Sequence, residues 1–111
     1  MDYLENARQT IENILTDYAR IPYRYGEIKH EIIINRQNDS YLLMTVGWSG
    51  QKRIHYCLLH LDIIEGKIWI QRDGTEDGIA NELVAAGIPK DKIVLAFHPP
   101  EVRQYTEFAS T

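Results

Sequence analysis

The stretch "YLLMTVGWSGQKRIHYCLLHLDII", Tyr41 to Ile64, sets the architecture. It contains two runs with strand character, Tyr41 to Trp48 and Arg53 to Ile64, joined by "SGQ". That connection is too short for a crossover and suits an antiparallel hairpin. An earlier run, Ile28 to Asn35, is separated from Tyr41 by "RQNDS", again of hairpin length, so the three runs predict a meander. Within the longest run, strict alternation puts Cys57, Leu59, Leu61 and Ile63 on one face and Ile54, Tyr56, Leu58, His60 and Asp62 on the other. The first face reads as buried and the second as half-covered. "EGK", Glu65 to Lys67, then turns the chain into a short fourth strand, Ile68 to Gln71.

Helices flank this meander. From Tyr3 to Tyr18, Leu4, Ala7, Ile11, Ile14, Leu15 and Tyr18 recur at spacings of three and four, which predicts an amphipathic helix stopped by Pro22. Ile79, Leu83, Val84 and Ala86 predict a second helix, ended by Gly87 in a left-handed cap with Pro89 behind it. "KIVLAF", Lys92 to Phe97, reads as a short buried strand, and Pro100 opens a final helix over Glu101 to Ala109. The order α-β-β-β-β-α-β-α predicts an α+β fold, a mostly antiparallel sheet of about five strands with helices packed on one face.

At 111 residues the chain has the size of one domain, 1–111, with one core. Its 44% hydrophobic and 25% charged residues are those of an ordinary globular protein. A single cysteine, Cys57, cannot form an internal disulfide, and its apolar neighbourhood gives it a packing role in a reducing compartment. The acidic start "MDYLENARQT" is no signal peptide, and no apolar run approaches the ~18 residues that span a bilayer. A cytoplasmic protein without a membrane partner is expected. With a net charge of −4 and only Lys52 and Arg53 adjacent among twelve basic residues, the chain has no stripe for nucleic-acid phosphates.

The segment "KIWIQRDGTEDGIANEL", Lys67 to Leu83, holds the densest cluster of candidate chemistry. Asp73, Glu76 and Asp77 have the composition of a hard-cation site or a carboxylate pair, and with His98 they suggest a metal-dependent nuclease or hydrolase. A local reading outweighs this one. Asp73-Gly74 is a turn signal, Thr75 is a natural N-cap, and Glu76 and Asp77 fall in the first helical turn, facing the positive end of the dipole. Anion capture at the same helix start is opposed by the three acids, and neither a dinucleotide fingerprint nor a P-loop is present.

His30, His55, His60 and His98 lack the spacing of common zinc sites, although His60 and Asp62 share a strand face and are predicted neighbours. Cys57 with His55 lacks an oxyanion loop, so no nucleophile is assigned, and no metal or cofactor is expected. The aromatic content is more suggestive. Core filling is the default for Trp48 and Trp69, but with Tyr23, Tyr25, Tyr41, Tyr56 and Tyr105 the aromatics exceed what a small core needs and point to a partner surface; Arg103 and Tyr105 in the last helix either belong to it or form a solvated face.

"IWIQRDGTEDGIANELVAAGIPKDKIVLAFHPPEVRQYTEFA", Ile68 to Ala109, with "YARIPY" from Tyr18 and "YLLMTVGW" from Tyr41, resembles the XisI family, the small cyanobacterial excision controlling factors of the fdxN element. The resemblance runs through essentially the whole chain. It implies a role in programmed DNA rearrangement during heterocyst development, where a site-specific recombinase cuts and joins the strands and XisH and XisI proteins are accessory factors. XisH-like proteins resemble the restriction-endonuclease fold class, and XisI-like genes commonly lie beside XisH-like ones. The implied molecule is a non-enzymatic controlling factor that binds an XisH-like partner, within reach of a recombinase complex; separately, the aromatic residues suggest a homodimer built through a sheet face or edge. Trp69, Gln71, Arg103 and Tyr105 are the candidate partner-binding residues.

Overall fold

The computed structural model describes residues 2–21 and 27–111. Helix α1 (Tyr3–Ala19) starts where the Asp2 side chain accepts from the Glu5 backbone N–H at 2.7 Å, an N-cap that satisfies one of the free donors of the first turn. Ala7, Ile11 and Leu15 form its buried stripe, as their spacing predicted. Leu4 does not join them: it is exposed, and Tyr3 packs on the core instead. The predicted stop at Pro22 lies outside the described residues, as do Tyr23 and Tyr25.

Four antiparallel strands follow, β1 (Glu27–Asn35), β2 (Ser40–Ser49), β3 (Lys52–Ile64) and β4 (Lys67–Asp73). A crossover through α2 (Ile79–Ala85) and a single 3-10 turn, Lys90–Lys92, brings β5 (Ile93–Leu95) parallel to β4. The sheet order is β1-β2-β3-β4-β5, so the α+β meander is as expected, with one parallel pair at its far edge. Helix α2 ends as predicted. Gly87, at φ 102°, donates to the Val84 carbonyl, and Ile88 donates to that of Leu83, both at 3.0 Å, a Schellman pair that seats Ile88 in the core.

The last predicted helix is corrected. Only Pro100–Arg103 is helical (α3), because the chain beyond it returns to β5, where the Ala109 N–H donates to the Ile93 carbonyl at 2.8 Å and Ala109 bridges Val94. A strand edge with open donors and acceptors captured a segment whose own helix propensity is modest.

Helices α1 and α2 lie on the same side of the sheet and close the core with Tyr41, Leu43, Leu59, Leu61, Ile68 and Ile70. Tyr41, one of the aromatics expected at a partner surface, is therefore core: it is fully buried, and its hydroxyl donates to Asp39 at 3.1 Å. The Arg8 guanidinium makes a two-pronged bond to the same Asp39, at 2.8 and 3.2 Å, and holds that carboxyl below its ordinary range. Arg36 in the turn after β1 reaches back to Glu5 and Glu12. These pairs clamp α1 onto the tip of the β1–β2 hairpin.

Candidate functional site

The side of the sheet away from α1 and α2 is built by simple alternation in β2, where Tyr41, Leu43 and Thr45 are buried and Leu42, Met44, Val46 and Trp48 alternate with them on the other side. Cross-strand partners share a face, so β1 adds Glu27, Lys29, Glu31 and Ile33. β3 adds Arg53, His55, Cys57 and His60. The placement of Cys57 corrects the predicted alternation. The register of β3 against β2 shifts between Leu43 and Met44, which pair with Leu59 and Cys57 and leave Leu58 as the extra residue of a bulge. Leu58 turns onto the core, and Cys57 falls on the open side opposite Met44. Burial pushes the Cys57 thiol up, and it donates to the Leu59 carbonyl, which suits a packing role.

Two tryptophan–arginine stacks mark this open face. Trp48, 47% exposed at the sheet end, lies under Arg53, its cross-strand partner, with the guanidinium carbon 5.2 Å from the ring centroid. Trp69 in β4, between the buried Ile68 and Ile70, lies under Arg103 from α3 at 5.4 Å. Arg103 is fastened from behind by bonds to the His98 and Ala96 carbonyls at 3.0 and 3.2 Å, which fixes its plane over the indole. The predicted pair Trp69 and Arg103 thus comes together. Gln71 is close by in the same strand and donates to Asp62 at 3.3 Å. Asp62 also accepts from Ser40 at 2.7 Å and sits 3.1 Å from His60, the neighbour predicted for it. Tyr105, 83% exposed, packs on neither stack.

The sequence reading missed the Trp48–Arg53 stack and the row Leu42, Met44 and Val46 behind it. The signal was present in "YLLMTVGW", where nearly every position is apolar although a strand with one wet face needs polar residues at every second one. Toward β1 the face dips into a shallow depression of about 690 Å³ bordered by Glu27, Lys29, Glu31, Arg53 and His55.

The acidic corner is a second candidate, and its local structure differs from expectation. Helix α2 begins at Ile79, so Glu76 and Asp77 precede it, and Thr75 is not its cap. Asp73 does the capping from six residues upstream: one oxygen accepts from the Ile79 N–H at 2.9 Å, the other from the Thr75 N–H at 2.9 Å and from the Thr75 hydroxyl. Both oxygens of Asp73 are thereby engaged.

Glu76, Asp77, Asp17 and Glu82 line a recess of about 380 Å³, where the Tyr18 hydroxyl donates to Glu82 at 2.6 Å. Burial and that carboxylate push the Tyr18 hydroxyl up to about 12. Among the described residues no group of three His, Cys, Asp or Glu side chains is placed to hold a metal ion. His98 lies beside Phe97, ring centroids 4.6 Å apart, and does not line the recess. No helix among the described residues is long and apolar enough to cross a membrane.

Comparison with known proteins identifies the lineage. No curated protein matches the chain. Solved structures do, among them two XisI or XisI-like proteins. An XisI-like protein from Anabaena variabilis is 34% identical, with 97% of this chain and 98% of that one covered and a TM-score of 0.88. The fdxN element excision controlling factor XisI from Anabaena variabilis is 40% identical, with 99% of this chain and all of that one covered and a TM-score of 0.84. The family model for XisI protein matches residues 1–110. With the family spanning nearly every residue and the fold shared throughout, this chain belongs to the XisI family.

Proposed function

We propose that this protein is a non-enzymatic controlling factor of DNA-element excision, which works in the cytoplasm by docking the open face of its sheet onto an XisH-like protein associated with a site-specific recombinase. Family membership and the excision-control description of its Anabaena relative support the process. The observation that carries the docking reading is the open face itself: two tryptophans, each covered by an arginine, frame a row of aliphatic side chains that α1 and α2 leave uncovered. Trp and Arg are among the residue types on which interface energy concentrates. Trp69, Arg103 and Gln71 form one anchor, with Tyr105 as a separate exposed contact. The net charge of −4 supports action through a protein partner, since direct binding to DNA requires a concentrated basic surface. In this reading Asp73 is a cap, and the acids near it are solvated surface.

Co-expression with an XisH-like protein from the same source, affinity purification of one component and light scattering on the eluate test the proposal. Stable co-elution is expected, and it is weakened by Trp69→Ala and by Arg103→Ala. Clean separation of the two proteins at micromolar concentration contradicts it.

A further inference from the structure

The two edges of the sheet are treated very differently. At one, β5 is three residues long and is bridged by the returning chain at Ala109. At the other, β1 runs for nine residues in unbroken register with β2, and no described segment pairs with its outer side. Chains ordinarily blunt such an edge with a short strand, a bulge, a proline, a cover or charged side chains, and of these β1 carries only the charges of Glu27, Lys29 and Glu31. Here the bulges lie in β3 and β4, at Leu58 and near Gln71, and β1 has no proline. The core-side residues Ile28, His30 and Ile32 are only half-buried.

We propose that the outer edge of β1 pairs antiparallel with β1 of a second copy of this chain, about a two-fold axis at His30. The charges on β1 select this register. Lys29 falls opposite Glu31 of the second copy, and Glu31 opposite its Lys29, both pairs on the open face. On the core side Ile28 falls opposite Ile32 of the second copy, and the reverse. Glu27 falls opposite Ile33, a neutral pairing. Moving the axis one step along the strand, to Glu31, sets Glu31 against itself, and like charges directly opposed are unfavourable. Lys29 and Glu31 form an ion pair with each other at 3.5 Å within one strand, with side chains 72% and 49% exposed, and pairing across the axis exchanges that contact in each copy for two between the copies.

An antiparallel pair centred on one residue has its two-fold perpendicular to the sheet, which makes the contact isologous and leaves both open faces on the same side. The product is a ten-stranded sheet that presents two Trp69–Arg103 anchors together. The inference rests on the docking reading only for this last consequence. Its test uses the chain alone, so loss of self-association leaves the XisH-like partner reading intact, and loss of that partner leaves the dimer intact.

Sedimentation equilibrium of the full chain, with Lys29→Glu and Glu31→Lys as single variants, decides it. The wild type is expected at the mass of two chains at micromolar concentration. Each single variant places like charges opposite each other at both symmetric positions and weakens self-association by roughly tenfold or more. Mixing the two variants restores the pairing, because one carries two acidic and the other two basic side chains at these positions. A wild type that stays at one-chain mass overturns the proposal. So does a dimer that both variants retain, or one that mixing the weakened variants does not restore.

Discussion

Asp73 accepts from three groups of the segment that follows it, and nothing else described satisfies the side-chain cap of α2. Removing a buried or half-buried acceptor strands its donors. Asp73→Ala is therefore expected to cost about 1–3 kcal/mol in urea denaturation. Glu76→Ala, exposed and outside the helix, is expected to stay within about 0.5 kcal/mol of wild type. Equal losses at both positions would show that the acids act together.

His30 supplies a pH signature on the β1 side of the core. Burial holds its ring below the ordinary value of 6.5, against a smaller opposite pull from a backbone bond to Met44, and its Nδ1 lies 3.2 Å from the Thr45 hydroxyl. The unfolded chain thus takes up the proton more readily than the folded one. Its contribution to stability is complete above pH 6.5 and is lost as pH falls below that value toward the folded-state pKa. Urea midpoints of wild type and His30→Gln measured from pH 7.5 to 5.5 should converge as pH falls, or cross, with wild type losing more. Parallel curves would contradict this account.

At the scale of elements, what the sequence made legible was periodic. The stripe Ala7, Ile11 and Leu15, the hairpins around "RQNDS" and "SGQ", and the Gly87 cap each follow from a local rule and appear where that rule put them. The misread features depend on contacts between distant segments. The Leu58 bulge is a matter of pairing between β2 and β3, invisible in an unbroken alternation. The start of α2 moved from Thr75 to Ile79 because Asp73 reaches across six residues. The last helix shrank because Ala109 found the β5 edge. The candidate site was legible as residue types, Trp69 and Arg103 above all, while their stacking required the return of α3 over β4.

The β1–β2 hairpin also contains a position where one added carbon is decisive. Gly47, at φ 154°, would place a Cβ 2.0 Å from the Glu27 carbonyl oxygen. Gly47→Ala must push β1 off β2 and is expected to cost at least about 2 kcal/mol, read as a lowered thermal midpoint. An unchanged midpoint would show that the two strands are not in this register.

The whole molecule has a radius of gyration of 14.7 Å and extents of 43 × 34 × 24 Å, larger than the about 13 Å of a compact domain near this size. That spread is the shape of one layer of two helices on one broad sheet, with the second face covered only where α3 returns over Trp69. An antiparallel sheet tolerates a wet face when that face is polar. Here the half-buried Leu42, Met44, Val46 and Trp69 and the exposed Trp48 share it with Glu27, Lys29, Glu31, Arg53, His55 and His60, and the two arginines over the indoles keep the rings partly covered while presenting charge outward.

The central claim is that this face, through Trp69, binds an XisH-like protein. Isothermal titration of a purified XisH-like protein from the same source into wild type and into Trp69→Ala tests it most directly, with circular dichroism to verify that both are folded. The account predicts binding to wild type and an affinity loss of roughly thirtyfold or more for the variant, the effect of removing an interface anchor. Equal affinities for the two folded proteins, or no heat with wild type, would contradict it.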